Sequence, residues 1–561
     1  MSSLAKAVTA ALLLGAAGHA AADNSTAVAN ALLQIHQNPT PTRLSANDAF
    51  VARSVTIDKS GAEHVHFDRT YRGLPVIGGD LVVHSAKGAF AGANLTIARP
   101  INVGTAPKLS SSTAIDIAGT EFGTGFTSLP TATLAVYARG AVPSLAYDVR
   151  YAGTRKDGTP TRMHYVVDAI SGKILSSWDS IETGVTPGGG TSPGTGQPPG
   201  GTNVTPKVGL GHSLFAGDVT LYTQLNNSTH LYELKDPTRG GTYITDIGNG
   251  YRGNGTLVVD GDDKFGNGAA TDRVSTAVDA AYGFQKTWDF YKTNFNRLGI
   301  AGDGKGAFGA VHFQRNYQNA FWSNDCFCMA FGDGDGVYTK PFVAIDVMGH
   351  EMTHGVTYAT AGLEYANESG GLNEATSDIM GTMVEFYANN AKQPPNYLIG
   401  ENLFTSNPDN PPALRAMFLP SIDGISDSCF PDGSDQQYLE FFTGTGTYLD
   451  GGKDPHYTSG VANHFFYLLA EGAAVPAGWG TGTQWDIVPA DLVCNGNTSL
   501  VAIGRSAAAK IWYQALTAHF TSNETYSGAR ADTLAAAADL YGVGSVQYIA
   551  VGAAWDAVNV H

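Results

Sequence analysis

The sequence predicts an α+β protein built in two blocks, and three observations carry that reading. Residues 184–202, GVTPGGGTSPGTGQPPGGT, are nearly all Gly, Pro, Thr and Ser; they offer nothing to build a core from and divide the chain. Before this linker, apolar residues recur at strand-like spacing. After it, strand-like and turn-rich sequence runs to about residue 340 and then gives way to helical periodicity. The chain has 561 residues, 43% hydrophobic and 15% charged, enough for sizeable cores in two to four domains.

The N-terminus, MSSLAKAVTAALLLGAAGHAAADNS, has an early lysine, a short apolar run from Val8 to Ala17, and small residues ending at Ala20, Ala21 and Ala22. That is the pattern of a cleaved secretory signal over residues 1–22, too short to span a bilayer. No later apolar run is long enough to anchor the chain. A secreted, extracellular product with no stable membrane association is expected. The segments HVHFDRTYRGLPVIGGDLVVH (64–84) and SLAYDVRYAG (144–153) read as strands and hairpins of a small α+β region without a visible catalytic cluster. Beyond the linker, one helix is expected within 272–295. Further helices are expected at 343–359, 371–389, 460–471, 504–520 and 528–540.

A net charge of -17 and a pI near 5.2 exclude an extended basic footprint for nucleic acid. The acidic excess fits solubility, or carboxylates that hold hard cations such as calcium. Four cysteines, Cys326, Cys328, Cys429 and Cys494, imply one or two disulfides in an exported chain, with the pairing left open. Their spacing does not match a zinc ribbon.

The stretch VMGHEMTHGVTY (347–358) carries the chemistry. Residues four apart on a helix differ by about 40° in azimuth, so His350 and His354 can present both imidazoles to one point. Two histidines leave room on a zinc ion for another ligand and a water, and Glu351, beside that point, can take the water's proton. A solvated helical face with two histidines is the bland alternative. It weakens because GGLNEATSDIMGTMVEFY (370–387) reads as a second helix, with Leu372, Ile379, Met383 and Phe386 as a buried stripe. On its other face, Glu374 can be the third ligand, and Asp378 can accept the spare ring N–H of a ligating histidine.

DVMGHEMTH, ANESGGLNEATSDIMGT and the upstream NAFW (319–322) resemble the thermolysin family of zinc metalloendopeptidases, a similarity that extends from roughly residue 205 to the C-terminus. The resemblance implies a two-lobed catalytic domain with zinc in the cleft: a β-rich N-terminal lobe over 204–345 and a mainly α-helical C-terminal lobe over 346–561. It implies that His350, His354 and Glu374 bind one zinc ion and that Glu351 is the general base. Tyr365 and His456 would support the oxyanion, although a loop tyrosine is otherwise usually packing and an isolated histidine usually structural. Asp454 is the preferred partner for His456, since a close carboxylate favours a protonated, donating ring; Asp450 also lies nearby. Asn319 and the carbonyl of Ala320 match an edge that grips an extended peptide. Arg415 matches a substrate-binding arginine, with a structural salt bridge as the alternative, and Val347 and Leu414 match an apolar pocket or plain core. A preference for cutting on the N-terminal side of bulky hydrophobic residues follows from the resemblance alone.

Asp346, Glu385 and Glu401 fall where the family clusters acids around calcium, with Asn396 beside them. Asn396 and Leu398 stand where a two-calcium member would carry acids, which argues for a single calcium at this place, so one or more calcium ions are expected overall. VDGDDKFGNG (259–268) resembles a calcium loop through Asp260 and Asp262; an ordinary Asp-Gly turn is the other reading. Residues 23–183 resemble the family's propeptide, with modules at about 45–100 and 140–180. The implied role is intramolecular chaperone and inhibitor, removed by a cut in or near the 184–203 linker. The expected product is a monomer acting on peptide and protein substrates. A catalytically silent peptide-binding protein would show a broken ligand or base, and none is broken. A metzincin would need a third histidine soon after His354, and GVTYAT supplies none. A latent species that functions uncut is a third reading.

Overall fold

A computed structural model of the chain describes residues 20–123, 125–154, 160–183, 203–251, 253–405, 413–431 and 454–561. The expected signal segment up to residue 19, the linker up to residue 202, and Asp450 lie outside them. The alternating segments of the first block form one nine-stranded sheet. Its spatial order is Ala89–Leu95, Leu81–Ala86, Glu63–Tyr71, Leu74–Ile77, Thr131–Tyr137, Ser144–Thr154, Pro160–Asp168 and Ile174–Asp179, with Asp48–Ile57 also paired to Glu63–Tyr71. A parallel pair, Val76 opposite Val136 and Ile77 opposite Tyr137, joins two halves that keep separate cores. In the first half, helix α1 (Ala20–Gln37) sets Ala27, Ala31 and Ile35 against Val65, Phe67, Leu81 and Val83. In the second, helix α2 (Ser111–Phe122) sets Ala114, Ala118 and Phe122 against Leu145, Tyr147 and Val149. The second half therefore begins before residue 140. Helix α2 escaped the sequence reading because its buried face is mostly alanine, which gives little contrast with its neighbours.

After the linker, a five-stranded sheet is ordered Val259–Asp260, Leu231–Glu233, Asp218–Asn226, Val204–His212 and Lys264–Phe265. A seven-stranded sheet follows, containing Thr242–Asp246, Phe308–Val311, Cys328–Phe331 and Ala320–Ser323. Its last strand, Ile181–Thr183, comes from before the linker and lies antiparallel on Ala320–Ser323, Ile181 opposite Ser323 and Thr183 opposite Phe321. Helix α3 (Arg273–Phe295) starts where Asp272 accepts the amide of Ser275, and it is buried along most of its length by the core that both lobes share.

The second lobe holds α4 (Ile345–Tyr358), α5 (Asn367–Ala388), α6 (Pro455–Thr458), α7 (Gly460–Glu471), α8 (Arg505–Ala518), α9 (Tyr526–Tyr541) and α10 (Val546–Ala557). The helices expected from periodicity appear within a few residues of their predicted bounds. Helix α10, VQYIAVGAAWDA, was not expected, because apolar residues occupy nearly every position and leave no stripe to read. Both cysteine pairings left open are resolved: Cys326 bonds Cys328 and Cys429 bonds Cys494. No helix among the described residues is long and apolar enough to cross a membrane.

The two blocks meet along a polar seam. Arg53 donates to the carbonyls of Thr360 and Ala361, Thr56 Oγ1 to the carbonyl of Thr517, and Ser522 gives both its amide and its hydroxyl to Asp80. Arg139 pairs with Glu364 across the same seam.

Helices α4 and α5 cross at two glycines. A Cβ on Gly349 would lie 2.8 Å from the Cα of Gly381, and one on Gly381 would lie 2.5 Å from the carbonyl oxygen of Asp346 and 2.9 Å from the amide nitrogen of His350. The obstacles are backbone, so neither helix can yield without moving as a body. Gly381→Ala is expected to destabilise the protein by about 1–3 kcal/mol through overpacking, read as a lower urea midpoint. An unchanged midpoint would mean that the helices do not depend on this contact.

Candidate active site

The glycine crossing places the second turn of α4 against the first half of α5, and the residues meeting there are polar although buried. His350 Nε2 and His354 Nε2 lie 3.0 Å apart. Glu374 reaches both, Oε2 at 3.5 Å from His350 Nε2 and Oε1 at 3.4 Å from His354 Nε2. The other ring nitrogens are committed: His350 Nδ1 lies 2.9 Å from Asp378 Oδ1, and His354 Nδ1 lies 2.8 Å from Asn373 Oδ1. The Asn373 amide donates to the carbonyl of Leu363, so its oxygen is the end that accepts from the imidazole. Assigned from this network, each histidine carries its proton on Nδ1 and turns the Nε2 lone pair toward the other. Two lone pairs at 3.0 Å with a carboxylate beside them repel unless a cation lies among them. Glu374 Oε2, fully buried, makes no hydrogen bond. Two imidazoles and a carboxylate are donors that suit zinc, so the residues present fit that ion.

Asp378 organises the surroundings. Besides His350 it accepts from Arg415 Nε and Nη2, each at 2.7 Å, and from the amide of Asn463 at 2.8 Å. Burial would raise its pKa, yet Arg415 and His350 outweigh burial and hold the carboxyl well below the usual range. Arg415, expected to contact substrate, thus spends two donors on Asp378, the salt bridge that was its alternative reading.

On the far side of Glu374, the hydroxyl of Tyr365 donates to Oε1, and His456 Nε2 lies 3.3 Å from that hydroxyl and 3.5 Å from Oε2. Asp454 caps α6 by accepting the amide of His456, and its Oδ1 also meets His456 Nδ1 at 2.5 Å. Burial pulls the imidazole down, but Glu374 and Asp454 outweigh it and push it up to about 9, so the ring is a donor at neutral pH.

A cleft opens beside His350 and Glu351 and is lined by Asn319, Ala320, Phe342, Val347, Ile399, Leu414 and Arg415. The five residues read from the sequence as substrate contacts therefore face one space with Glu351. Phe342 and Ile399 were missed, since each sits in a run with no spacing to mark it. Asn373 and Asn463 were missed too; the first precedes Glu374 by one residue, a position that helical spacing alone would not aim at His354.

A second polar cluster lies below the start of α4. Asp346, Glu385 and Glu401 are drawn together with Asn396, whose amide donates to Glu401 Oε1 at 3.0 Å and whose backbone N–H meets Glu385 Oε2 at 3.2 Å. One oxygen of each acid, Asp346 Oδ1, Glu385 Oε1 and Glu401 Oε2, is buried without a hydrogen bond. Burial, then Glu401 and Asp346, drives Glu385 well up; burial, then Asp346, pushes Glu401 up to about 8. Asp260 and Asp262 behave differently. They form an exposed turn in which Asp260 Oδ1 accepts the amides of Asp262 and Lys264, while Asp262 pairs with Lys264 at 3.1 Å.

Residues 208–358 match the family described as thermolysin metallopeptidase, catalytic domain, and residues 361–560 match its alpha-helical domain. Residues 48–96 match the fungalysin/thermolysin propeptide motif. Bacillolysin of Bacillus cereus is 36% identical over 536 residues, 92% of this chain and 86% of that protein. The chain belongs to the thermolysin family of metallopeptidases. Thermolysin of Alicyclobacillus acidocaldarius subsp. acidocaldarius is 34% identical over 517 residues, 90% of this chain and 84% of that protein. A transglutaminase-activating metalloprotease of Streptomyces mobaraensis is 41% identical over 523 residues, and there the chain spans 62% of the relative's length. Two histidines and a glutamate are the ligand set for which thermolysin itself is a standard example.

Within this thermolysin-family site, Asp378 fixes the ring of His350. Asp378→Asn is expected to weaken zinc binding by about 10–100-fold, measured by competition with a chelating dye, with the circular dichroism spectrum unchanged. Wild-type zinc affinity would show that the carboxylate does not orient the ligand.

Proposed function

We propose that this protein is a secreted zinc endopeptidase, made as an autoinhibited zymogen, that cuts internal peptide bonds of extracellular proteins on the N-terminal side of bulky hydrophobic residues. The observation that carries the reading is the buried trio of His350, His354 and Glu374, lone pairs converging, with His350 lining a cleft that Glu351 also lines. A zinc ion bound there supplies Lewis-acid chemistry, polarising a water and the scissile carbonyl. Glu351, one residue past His350, accepts the proton of the attacking water and delivers one to the leaving amine. His456, held protonated by Asp454, donates to the oxyanion that develops on the carbonyl. Tyr365 joins it by turning its hydroxyl away from Glu374. Asn319 and the carbonyl of Ala320 hold the extended substrate, Arg415 flanks it, and Val347 and Leu414 with Phe342 and Ile399 receive the side chain after the scissile bond.

The zymogen reading is supported by Ile181–Thr183, which pairs antiparallel with Ala320–Ser323, the same edge assigned to substrate. A chain lying there keeps peptide substrates off the edge. Residues 1–22 as an export signal, residues 23–183 as propeptide and a cut in or near 184–203 complete the proposal. Two disulfides suit an oxidising compartment. A monomer without membrane association is part of the same reading.

We assign Asp346, Glu385, Glu401 and Asn396 to one calcium ion, because three buried carboxylates with orphaned oxygens need a hard cation among them. Asp260 and Asp262 are left as a turn.

Two outcomes test this. Glu351→Gln, with its propeptide removed by an added serine protease that is then inhibited, should retain zinc and lose about 10²–10⁴-fold of peptidase activity. Near-wild-type turnover would overturn the mechanism. In calcium-free buffer containing zinc, Glu401, pushed up to about 8, and Glu385, driven well above its ordinary value by burial and by Glu401 and Asp346, bind protons that the unfolded chain releases near its ordinary carboxyl pKa. Their stabilising share is then full in acid and is lost as pH rises through about 8. Thermal midpoints across this window should therefore fall more steeply with pH without calcium than with it; superimposable profiles would remove the calcium assignment.

A further inference from the structure

Along the seam between the two blocks, Asp58 follows the strand Asp48–Ile57, His64 lies in the strand Glu63–Tyr71, and Asp539 lies on α9. They bring one ligand atom each within 4.8 Å of one another. His64 is only 3% exposed, and its Nε2, 3.9 Å from Asp58 Oδ2, makes no hydrogen bond.

The neighbouring hydrogen bonds fix what that nitrogen carries. The amide of Asn94 donates to the carbonyl of His519 at 2.9 Å and to Asp532 Oδ1 at 2.8 Å, so Asn94 Oδ1 is the end that faces His84 Nε2 at 3.1 Å. His84 must donate through Nε2, which leaves its Nδ1 as an acceptor. That Nδ1 lies 2.8 Å from His64 Nδ1, so His64 donates there and keeps a lone pair on Nε2. That lone pair lies 3.9 Å from Asp58 Oδ2, in a cluster that Asp539 completes within 4.8 Å, an arrangement that repels unless a cation lies among them.

The carboxylates are positioned as ligands are. Asp58 Oδ1 is occupied by the amides of Ser60 and Ala62 and the hydroxyl of Ser60, which turns Oδ2 toward His64. Asp539 Oδ2 accepts from His519 Nε2 at 2.8 Å. His84 behind His64 and His519 behind Asp539 are the outer partners that orient ligands in metal sites. Two carboxylates and a divalent cation sum to zero charge, whereas a single proton would leave a net negative charge in the seam. The Asp539 side chain is 28% exposed, which gives an ion a way in and a place for water.

We infer that Asp58, His64 and Asp539 form a second metal site, specific for a zinc-class divalent cation, that clamps residues 23–183 to the catalytic domain. An imidazole nitrogen with two carboxylates suits such an ion better than calcium or magnesium, which favour all-oxygen shells. The site goes beyond the peptidase reading: its existence needs only the contact of the two blocks. Its consequence rests on residues 23–183 being a propeptide. Because the ligands come from both sides, the site exists only while the blocks are docked. At free metal one hundred times its Kd, the affinity of the cut propeptide for the catalytic domain rises about 100-fold. Falling metal levels would then loosen the inhibitor after cleavage.

The test uses the full chain carrying Glu351→Gln, which keeps it uncut, at saturating calcium. Metal analysis after equilibration with zinc should give one more zinc per chain than in the same protein with Asp539→Asn added. Added zinc should raise the thermal midpoint of the former more than that of the latter. Asp539 is partly exposed, so this variant folds where a change at His64 would risk the seam; Asp58→Asn, on the other side, should give the same loss. Cobalt in place of zinc should give the parent stronger visible absorption per chain than either variant, whose cobalt is held at the His350, His354 and Glu374 site alone. Equal zinc content in the parent and both variants would overturn the site, including the case in which a proton alone bridges His64 and the acids. Extra zinc without any effect on release of the cut propeptide would keep the site and refute its regulatory role. Because every metal readout is made without turnover, failure of the peptidase reading would leave the metal result standing.

Discussion

Two glycine backbones in contact, Gly349 on α4 and Gly381 on α5, are the constraint on which the rest of the active site depends. Only at that separation can histidines on one helix and a glutamate on the next share a point less than 4 Å from each. Asp378, three residues before Gly381, uses the same closeness to reach His350, and through Arg415 and Asn463 it ties in residues from outside both helices. The polar residues here are buried, so each needs its partner. A gap of even one methyl group would separate the donor from the acceptor across a low-dielectric interior.

The site is therefore assembled as a nest of obligations. Asn373 and Asp378 each hold one histidine by Nδ1, which frees the Nε2 atoms for a cation; Tyr365 and His456 take the outer face of Glu374; Asp454 holds His456. Near the start of α4, Asp346, Glu385 and Glu401 are likewise buried, each with one oxygen that makes no hydrogen bond.

Much of this was legible in the sequence because helices convert spacing into direction. His350 and His354, and Glu374 and Asp378, were readable from intervals of four residues. The reading stopped where contacts are set by tertiary approach. Asn463 meets Asp378 across 85 residues of chain, and no local interval encodes that. Alanine-rich α2 and the uniformly apolar α10 form helices that bury their faces without advertising them. The pairing of cysteines likewise depends on proximity: Cys326 with Cys328 follows one tight turn, whereas Cys429 with Cys494 closes 65 residues. Resemblance to a family supplied the roles expected of Tyr365, His456 and Arg415, and for Arg415 the geometry adds hydrogen bonds to Asp378.

The strand Ile181–Thr183 has one more effect. The free edge of a sheet, with its unpaired N–H and C=O groups, is a template on which any extended chain can pair, including a second unfolded copy. On the substrate-binding role proposed for it, that edge cannot be blunted with proline or charge. Ile181–Thr183 pairs with three residues of that edge and so withholds the template from other chains.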